Sequence, residues 1–353
     1  MKILAIETSC DETSVAVVAD GIIKSNVVWS QIKLHAPWGG VVPSIAKRAH
    51  QERIDGIIKQ ALEEAGVKGA DFVAVTVGPG LAIALEVGIL KAKELCKKWK
   101  TPLIPVNHLE GHLLASAPDN EWVPALGLVV SGGHTELYLV EKIGRYKTLA
   151  KTADDALGEA LDKAGKMLGL GYPGGPVIEK QAVLGDVDSF ELPMPLKGRE
   201  GEGRFSYSGL KTALLRLIER EKLGGELNEE TVQNLAASYQ EACFEHLIRV
   251  VRVNALPYLN GKIKHLLVGG GVIFNKRLRE KLKKLGDDLG IEICFPEENI
   301  LCGDNAGMIG LAGYQKALRD EARLRSGELR RGEVVEEKDF DTIERLPRWS
   351  LEE

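Results

Sequence analysis

Apolar and polar positions change their spacing repeatedly along this chain, and each change predicts an element. Lys2 to Ile6 is an apolar, β-branched strand. The polar turn Thr8-Ser9-Cys10-Asp11-Glu12-Thr13 follows, then a second strand over Ser14 to Val18. Leu126 to Val130 repeats the plan: an apolar strand, the polar turn Ser131-Gly132-Gly133-His134-Thr135, and a returning strand over Leu137 to Val140. The two hairpins are alike in shape more than in letters. That predicts an internal duplication, two domains that each open with strand, polar turn and strand aimed at a shared cleft.

The remaining elements fit α/β layering. Helical periodicity runs from Pro43 to Ala65. Phe72 to Val77 is a buried strand that ends in Gly78-Pro79-Gly80, before a helix of about Ala84 to Lys100. Leu103 to Val106 is a strand that leads into His108-Leu109-Glu110-Gly111-His112. Residues of about 152–250 read as mostly helical, broken by the loops Gly171 to Pro176 and Lys197 to Arg204. Ile263 to Val268 is a strand that enters Gly269-Gly270-Gly271, with a helix from Asn275. Glu292 to Pro296 is a last strand, and a helix runs on to about Leu324. From Arg325 the chain is charged and without apolar period, which predicts a tail on the surface.

Composition bounds this picture. The 353 residues suit two domains, and 44% hydrophobic content is ordinary for a globular protein. No apolar run reaches the roughly 18 residues a membrane helix needs, so no membrane role is expected. Five scattered cysteines without a CxxC pair suit a reducing cytoplasm. The net charge of -5, from 46 basic and 51 acidic residues, does not announce a nucleic-acid binder, although local patches matter more than the sum. Lys91, Lys93, Lys97, Lys98 and Lys100 crowd one helix, and Lys47, Arg48 and Arg53 another. They read as solvated faces or as RNA phosphate contacts. The 39 glycines cluster in loops after apolar strands, where backbone approaches a ligand closely.

Candidate chemistry starts from His108 and His112. Four apart on a helix, they share a face and can grip one metal ion. A zinc protease of the H-E-x-x-H type sets Glu beside the first histidine. Here Glu110 stands two residues from each, about 200° around the helix, and so points away from the pair. Asp304, in a short loop between strand and helix, is the best third ligand. Two imidazoles and a carboxylate suit Zn2+ or Fe2+. Ser131-Gly132-Gly133 offers open backbone N–H groups, as in a phosphate cradle or an ordinary hairpin. Gly269-Gly270-Gly271 favours an anion or nucleotide through the helix that starts beyond it. Gly174-Gly175-Pro176 could simply end a helix. Asp11 and Glu12 either satisfy the backbone of their turn or order and deprotonate a nucleophile. Asp162 and Glu179 read as solvated helix residues or as holders of a ribose hydroxyl.

Several segments together carry a resemblance. They are ETSCDETSVA (7–16), GPGL (78–81), NHLEGH (107–112), VSGGHTEL (130–137), GEALDKAGKMLGLGYPGGP (158–176), FSYSGLKTA (205–213), GGGVIFN (269–275) and CGDNAGMIG (302–310). In that order, over nearly the whole chain, they resemble the universal tRNA threonylcarbamoyladenosine transferases, in the bacterial (TsaD) branch. Members were once labelled glycoproteases. The resemblance implies an α/β ASKHA fold, the duplicated two-domain architecture of actin, Hsp70 and sugar kinases with a central cleft. It divides the chain into a first subdomain of 1–106 with about 301–325, a second of 107–300 with a helical insertion, and a charged tail over 326–353.

It implies transfer of a threonylcarbamoyl group from threonylcarbamoyl-AMP to the exocyclic amine of adenosine 37 in tRNAs that read ANN codons. His108, His112 and Asp304 match the metal ligands of that family, for one divalent ion, Fe2+ or Zn2+. Val129, Val130, Ser131, Gly132, Gly133, Asp162, Gly175, Glu179 and Asn275 match substrate contacts, and Asp11 and Glu12 the acidic pair near the reacting centre. The implied partners are tRNA, a TsaB-like paralogue and a TsaE-like ATPase. The run after GPGL, Tyr207 in place of Phe, and the order Ala306-Gly307 depart from the family pattern. An ASKHA-type small-molecule kinase, another carbamoyltransferase and, further off, a metalloprotease are the rival readings.

Overall fold

A computed structural model describes residues 1–118, 121–259, 261–326 and 335–352. In chain order its first elements are β1 (Lys2–Glu7), β2 (Glu12–Ala19), β3 (Ile22–Ser30), α1 (Ile32–His35), α2 (Pro43–Glu64), β4 (Phe72–Gly78), α3 (Ala82–Trp99), β5 (Leu103–Asn107) and α4 (His108–Leu114). There follow β6 (Ala125–Val130), β7 (Thr135–Lys142), β8 (Arg145–Thr152), α5 (Leu157–Met167), α6 (Gly174–Ala182), β9 (Arg204–Phe205), α7 (Ser208–Lys222) and α8 (Glu229–Ala255). The last are β10 (His265–Gly269), α9 (Lys276–Leu289), β11 (Glu292–Cys294) and α10 (Ala306–Ser326). The chain divides into two compact units, Met1–Ala115 with Pro296–Glu353, and Ser116–Phe295.

In the first unit a five-stranded sheet runs β3-β2-β1-β4-β5. β1, β2 and β3 form an antiparallel meander, while β4 and β5 run parallel to β1. β1 is apolar on both faces because helices cover both. Leu4 and Ile6 point into the core built with α2 and α3. Ile3 and Ala5 point the other way, towards α10. Glycines bring α10 close: a Cβ at Gly310 would stand 2.4 Å from Val18, and one at Gly313 2.8 Å from Ala74.

Residues 335–352 do not lie as a surface tail. Val335 bridges to Leu103, and Phe340 and Ile343 enter the same core. Leu346 N donates to Val77 O, and Gly80 N to Pro347 O. The sequence hid this because its three or four apolar anchors are spread among charges and show no period.

In the second unit the sheet runs β11-β10-β6-β7-β8-β9. β6, β7 and β8 form an antiparallel meander, with β10 parallel to β6 and β11 parallel to β10. Without the two-residue β9, this is the strand plan of the first unit, so the duplication shows in topology. The third strand of each meander, β3 and β8, went unread in the sequence. Both are edge-like and only partly buried, so polar and charged residues dilute their alternation. One glycine loop differs from expectation: Gly174 starts α6 rather than ending a helix. Gly269-Gly270-Gly271 leads through a 3-10 turn, Gly271–Phe274, to α9, which Asn275 caps where the sequence sets the helix start.

Candidate functional site

α4 starts at the end of β5 because Asn107 caps it: its Oδ1 accepts from Leu109 N and Glu110 N. The spacing then turns both histidines to one side. His108 Nε2 lies 3.5 Å and His112 Nε2 3.1 Å from the same Asp304 Oδ1. Asp304 is fixed by its neighbour. Asn305 Oδ1 accepts from Met308 N and from Asn26 Nδ2, while Ser14 Oγ accepts from Ala306 N. A Cβ at Gly307 would stand 2.9 Å from Asn26 Nδ2, so this order of small residues fits the contact.

Behind His108 stands Glu7, a residue the sequence reading passed over. Its Oε2 lies 3.1 Å from His108 Nδ1 and accepts from Thr76 Oγ1 at 2.6 Å, and its Oε1 accepts from Ser9 N. The available signal was a lone carboxylate closing an otherwise apolar strand. Burial works against the Glu7 and Asp304 charges, yet His108, with His112 at Asp304, holds both carboxyls below their usual range. Burial disfavours the His108 cation, but Asp304 and Glu7 hold it well above the usual histidine value.

This donor set fits a divalent ion. The ligand atoms of His108, His112 and Asp304 all lie within 4.8 Å of one another. A metal-bound histidine generally leans its other nitrogen on a carboxylate, as His108 leans on Glu7. His112 Nδ1 is buried with no hydrogen-bond partner among the described residues. Glu110 faces elsewhere, as its angle on the helix predicts: its Oε2 is 3.2 Å from Lys316 Nζ on α10. Lys316 also donates to Pro105 O and sits over the Trp349 ring.

The acidic turn lies in the same unit. Asp11 is buried, and Glu12, half-buried, accepts from Ser30 Oγ at 3.1 Å. Burial, then Asp11 and Asp304, push the Glu12 carboxyl well above its usual range. Two further buried histidines brace this turn. His50 Nε2 is 3.1 Å from Cys10 O, and its Nδ1 is 2.8 Å from Thr13 Oγ1. Gln31 connects His50 to His35, and Gln31 N donates to Asp11 O. Burial lowers both histidines, keeping them neutral near pH 7.

In the second unit the expected residues form a chain of contacts. Val129 and Val130 are buried at the end of β6. Ser131 closes the turn to His134, and its carbonyl accepts from Gly158 N at the start of α5. Gly132 and Gly133 have open space where a Cβ would stand. On α5, Asp162 accepts from Gly174 N at 2.6 Å, with Gly175 beside it. Glu179 on α6 accepts from Lys276 N, and Asn275 Oδ1 from Leu278 N, both at the start of α9. Asn275 Nδ2 donates to Gln240. Gly270, at φ +97, passes so close to β6 that a Cβ would stand 2.4 Å from Val130 O. Part of the basic helices is engaged within the chain: Lys47 with Glu86, Lys91 with Asp55 and Glu94, and Arg53 over Trp29.

A model of the family "TsaD: tRNA N6-adenosine threonylcarbamoyltransferase" matches residues 22–311. The enzyme of that name from Persephonella marina is 46% identical, over 90% of each chain. That from Trichlorobacter lovleyi is 48% identical, over 89% of this chain and 91% of its own. Among solved structures, HypF of T. kodakarensis superposes with a TM-score of 0.59 at 14% identity, covering 91% of this chain and 48% of that one. The activator of the 2-hydroxyisocaproyl-CoA dehydratase from Clostridium difficile gives 0.53 at 11%, covering 94% and 98%. These likenesses identify the fold as ASKHA-type.

Proposed function

The chain belongs to the tRNA N6-adenosine threonylcarbamoyltransferase family, and from that membership we infer that it transfers a threonylcarbamoyl group to the exocyclic amine of an adenosine in tRNA. We read the donor as threonylcarbamoyl-AMP and the acceptor as adenosine 37 of tRNAs that read ANN codons. The observation that carries the reading at the site is the meeting of His108, His112 and Asp304 while Glu110 is tied to Lys316. A protease would need that glutamate as its base.

The bonds balance as an acyl transfer. The adenine amine attacks the carbamoyl carbon, a C–N bond forms, and the bond from that carbon to the phosphate oxygen breaks. AMP leaves with the electron pair, and a carboxylate takes the amine proton. We assign that proton to the Asp11 and Glu12 pair. Within the pair Asp11 is the assigned acceptor, because burial, Asp11 and Asp304 hold the Glu12 carboxyl well above its usual range and so favour its protonated form. A divalent ion held by His108, His112 and Asp304, Fe2+ or Zn2+, would supply a Lewis-acid anchor for substrate oxygens.

The second unit is assigned to the nucleotide donor. The unencumbered Gly132 and Gly133 support a backbone cradle after Val129, Val130 and Ser131. Asp162, Glu179 and Asn275 hold Gly174, Lys276 and Leu278 in place, so with Gly175 we assign them to shaping that wall. A TsaB-like paralogue and a TsaE-like ATPase are the proposed partners. The α3 face, with Leu90 exposed, is the proposed surface for the former. No helix among the described residues is long and apolar enough to cross a membrane, and we place the protein in the cytoplasm.

The test is mass spectrometry of nucleosides from tRNA incubated with threonylcarbamoyl-AMP, this protein and its partners. Modified adenosine should form and should fall away with Asp304→Asn. Its absence where a related enzyme works would overturn the reading.

A further inference from the structure

A second set of metal-type donors converges on the edge of the second unit's sheet. His265 opens β10 and Cys294 closes β11. The parallel ladder pairs His265 with Glu292 and Leu267 with Cys294. Glu292 and Cys294 are two apart on one strand and therefore share a face of the sheet. His265 meets both there. Its Nδ1 lies 3.4 Å from Glu292 Oε2 and 3.6 Å from Cys294 Sγ. The three ligand atoms all lie within 4.8 Å of one another. His265 and Cys294 are buried, whereas the Glu292 side chain is 70% exposed.

The two distances from His265 Nδ1 match those of tetrahedral coordination. Bonds from zinc of about 2.3 Å to sulfur and about 2.0–2.1 Å to nitrogen or oxygen set N and S about 3.5 Å apart, and N and O about 3.4 Å apart. We propose that His265, Cys294 and Glu292 form a second divalent-metal site, suited to Zn2+ or a similarly borderline-soft ion, which clips β11 to β10. The fourth position opens to water on the side of the exposed glutamate. Thiolate, imidazole and carboxylate together select zinc over the hard ions, which prefer oxygen alone. Burial, then Glu292, push the Cys294 thiol up to about 11. It is therefore a thiol near neutral pH, and entry of the ion releases its proton to solvent.

The location says what the ion is for. β11 is the edge strand and is held by only three ladder pairs. His265 is at the start of β10, while Gly269 and the turn at Gly270 are at its far end, roughly 13 Å away at about 3.3 Å per residue. The clip therefore acts on the stability of the sheet edge rather than on the transfer reaction.

The test is a Co2+ titration of the full chain, followed by thiolate-to-cobalt charge-transfer absorption in the near ultraviolet. The His108, His112 and Asp304 cluster contains no sulfur and is silent in that band. The band should saturate in wild type, disappear in Cys294→Ser and His265→Ala, and persist in Cys10→Ser. Zn2+ should abolish it and raise the unfolding temperature of wild type more than that of Cys294→Ser. Glu292→Gln, an exposed change that spares the fold, should need at least about tenfold more Co2+ for half saturation. A wild type without the band, a band that survives Cys294→Ser, or an unchanged Glu292→Gln titration would each overturn the proposal in favour of a plain thiol–imidazole hydrogen bond.

Discussion

At the scale of single residues, the two glutamates nearest the histidine pair do different work. Glu7 supports His108 from behind. Replacing it with Gln should lower affinity for a divalent ion by about 10–100-fold, measured by chelator competition, with folding largely kept. Glu110 is structural. Glu110→Gln should take the counter-charge from the buried Lys316 ammonium and cost about 3–5 kcal/mol, read from urea unfolding, while leaving any assembled site chemically competent. A hydrolytic base would instead lose activity at unchanged stability. The direction of Glu110 was legible because helical geometry is local: three residues on one turn fix their own angles. Its partner was not, because Lys316 comes from a helix far along the chain. Glu7 was hidden for the same reason, since nothing local tells a strand-end carboxylate that an imidazole from α4 will meet it.

At the scale of elements, the strongly periodic segments were legible: β1, β4, α2 and the two polar turns appear where the apolar pattern sets them. The glycine loops were not, since a glycine gives no sign of what it lets approach. Gly270, in a loop whose composition favours an anion or nucleotide, has a left-handed backbone and packs against Val130. Gly270→Ala should cost about 1–3 kcal/mol from backbone strain alone, seen as a lower denaturation midpoint. α8 carries an acid-sensitive position that the pattern also conceals. His246 Nε2 accepts from Ser206 N, and burial, then Arg249, lower its pKa from 6.5 to about 4. The unfolded chain takes up this proton below 6.5, whereas the folded one resists it. Stability is thus complete above that pH and falls as pH drops towards 4, by about 3 kcal/mol from this group. Urea midpoints measured across that window should show the slope, and His246→Gln should flatten it.

At the scale of the whole molecule, one strand plan is used twice, and each unit adds its own helices to it. Duplication could be read from two hairpins of like shape. The course of residues 335–352 could not, because scattered anchors in a charged segment have no period. Phe340 is nevertheless a core residue, and Phe340→Ala should cost about 3–5 kcal/mol, measured by thermal unfolding. The strap also reaches the histidine helix. Asn107 Nδ2 approaches Trp349 O at 3.5 Å, and the Trp349 ring lies against Lys316, the partner of Glu110. This arrangement sets a timetable for biosynthesis. His112 and Asp304 are 192 residues apart, so at about 5–20 residues per second the ribosome needs about 10–40 s to supply the third donor after the second. All of the intervening second unit emerges in that interval, while both imidazoles wait. A message cut short before the Asp304 codon therefore yields a protein whose later-made half has its whole sheet, and whose earlier-made half has two histidines with no carboxylate to share.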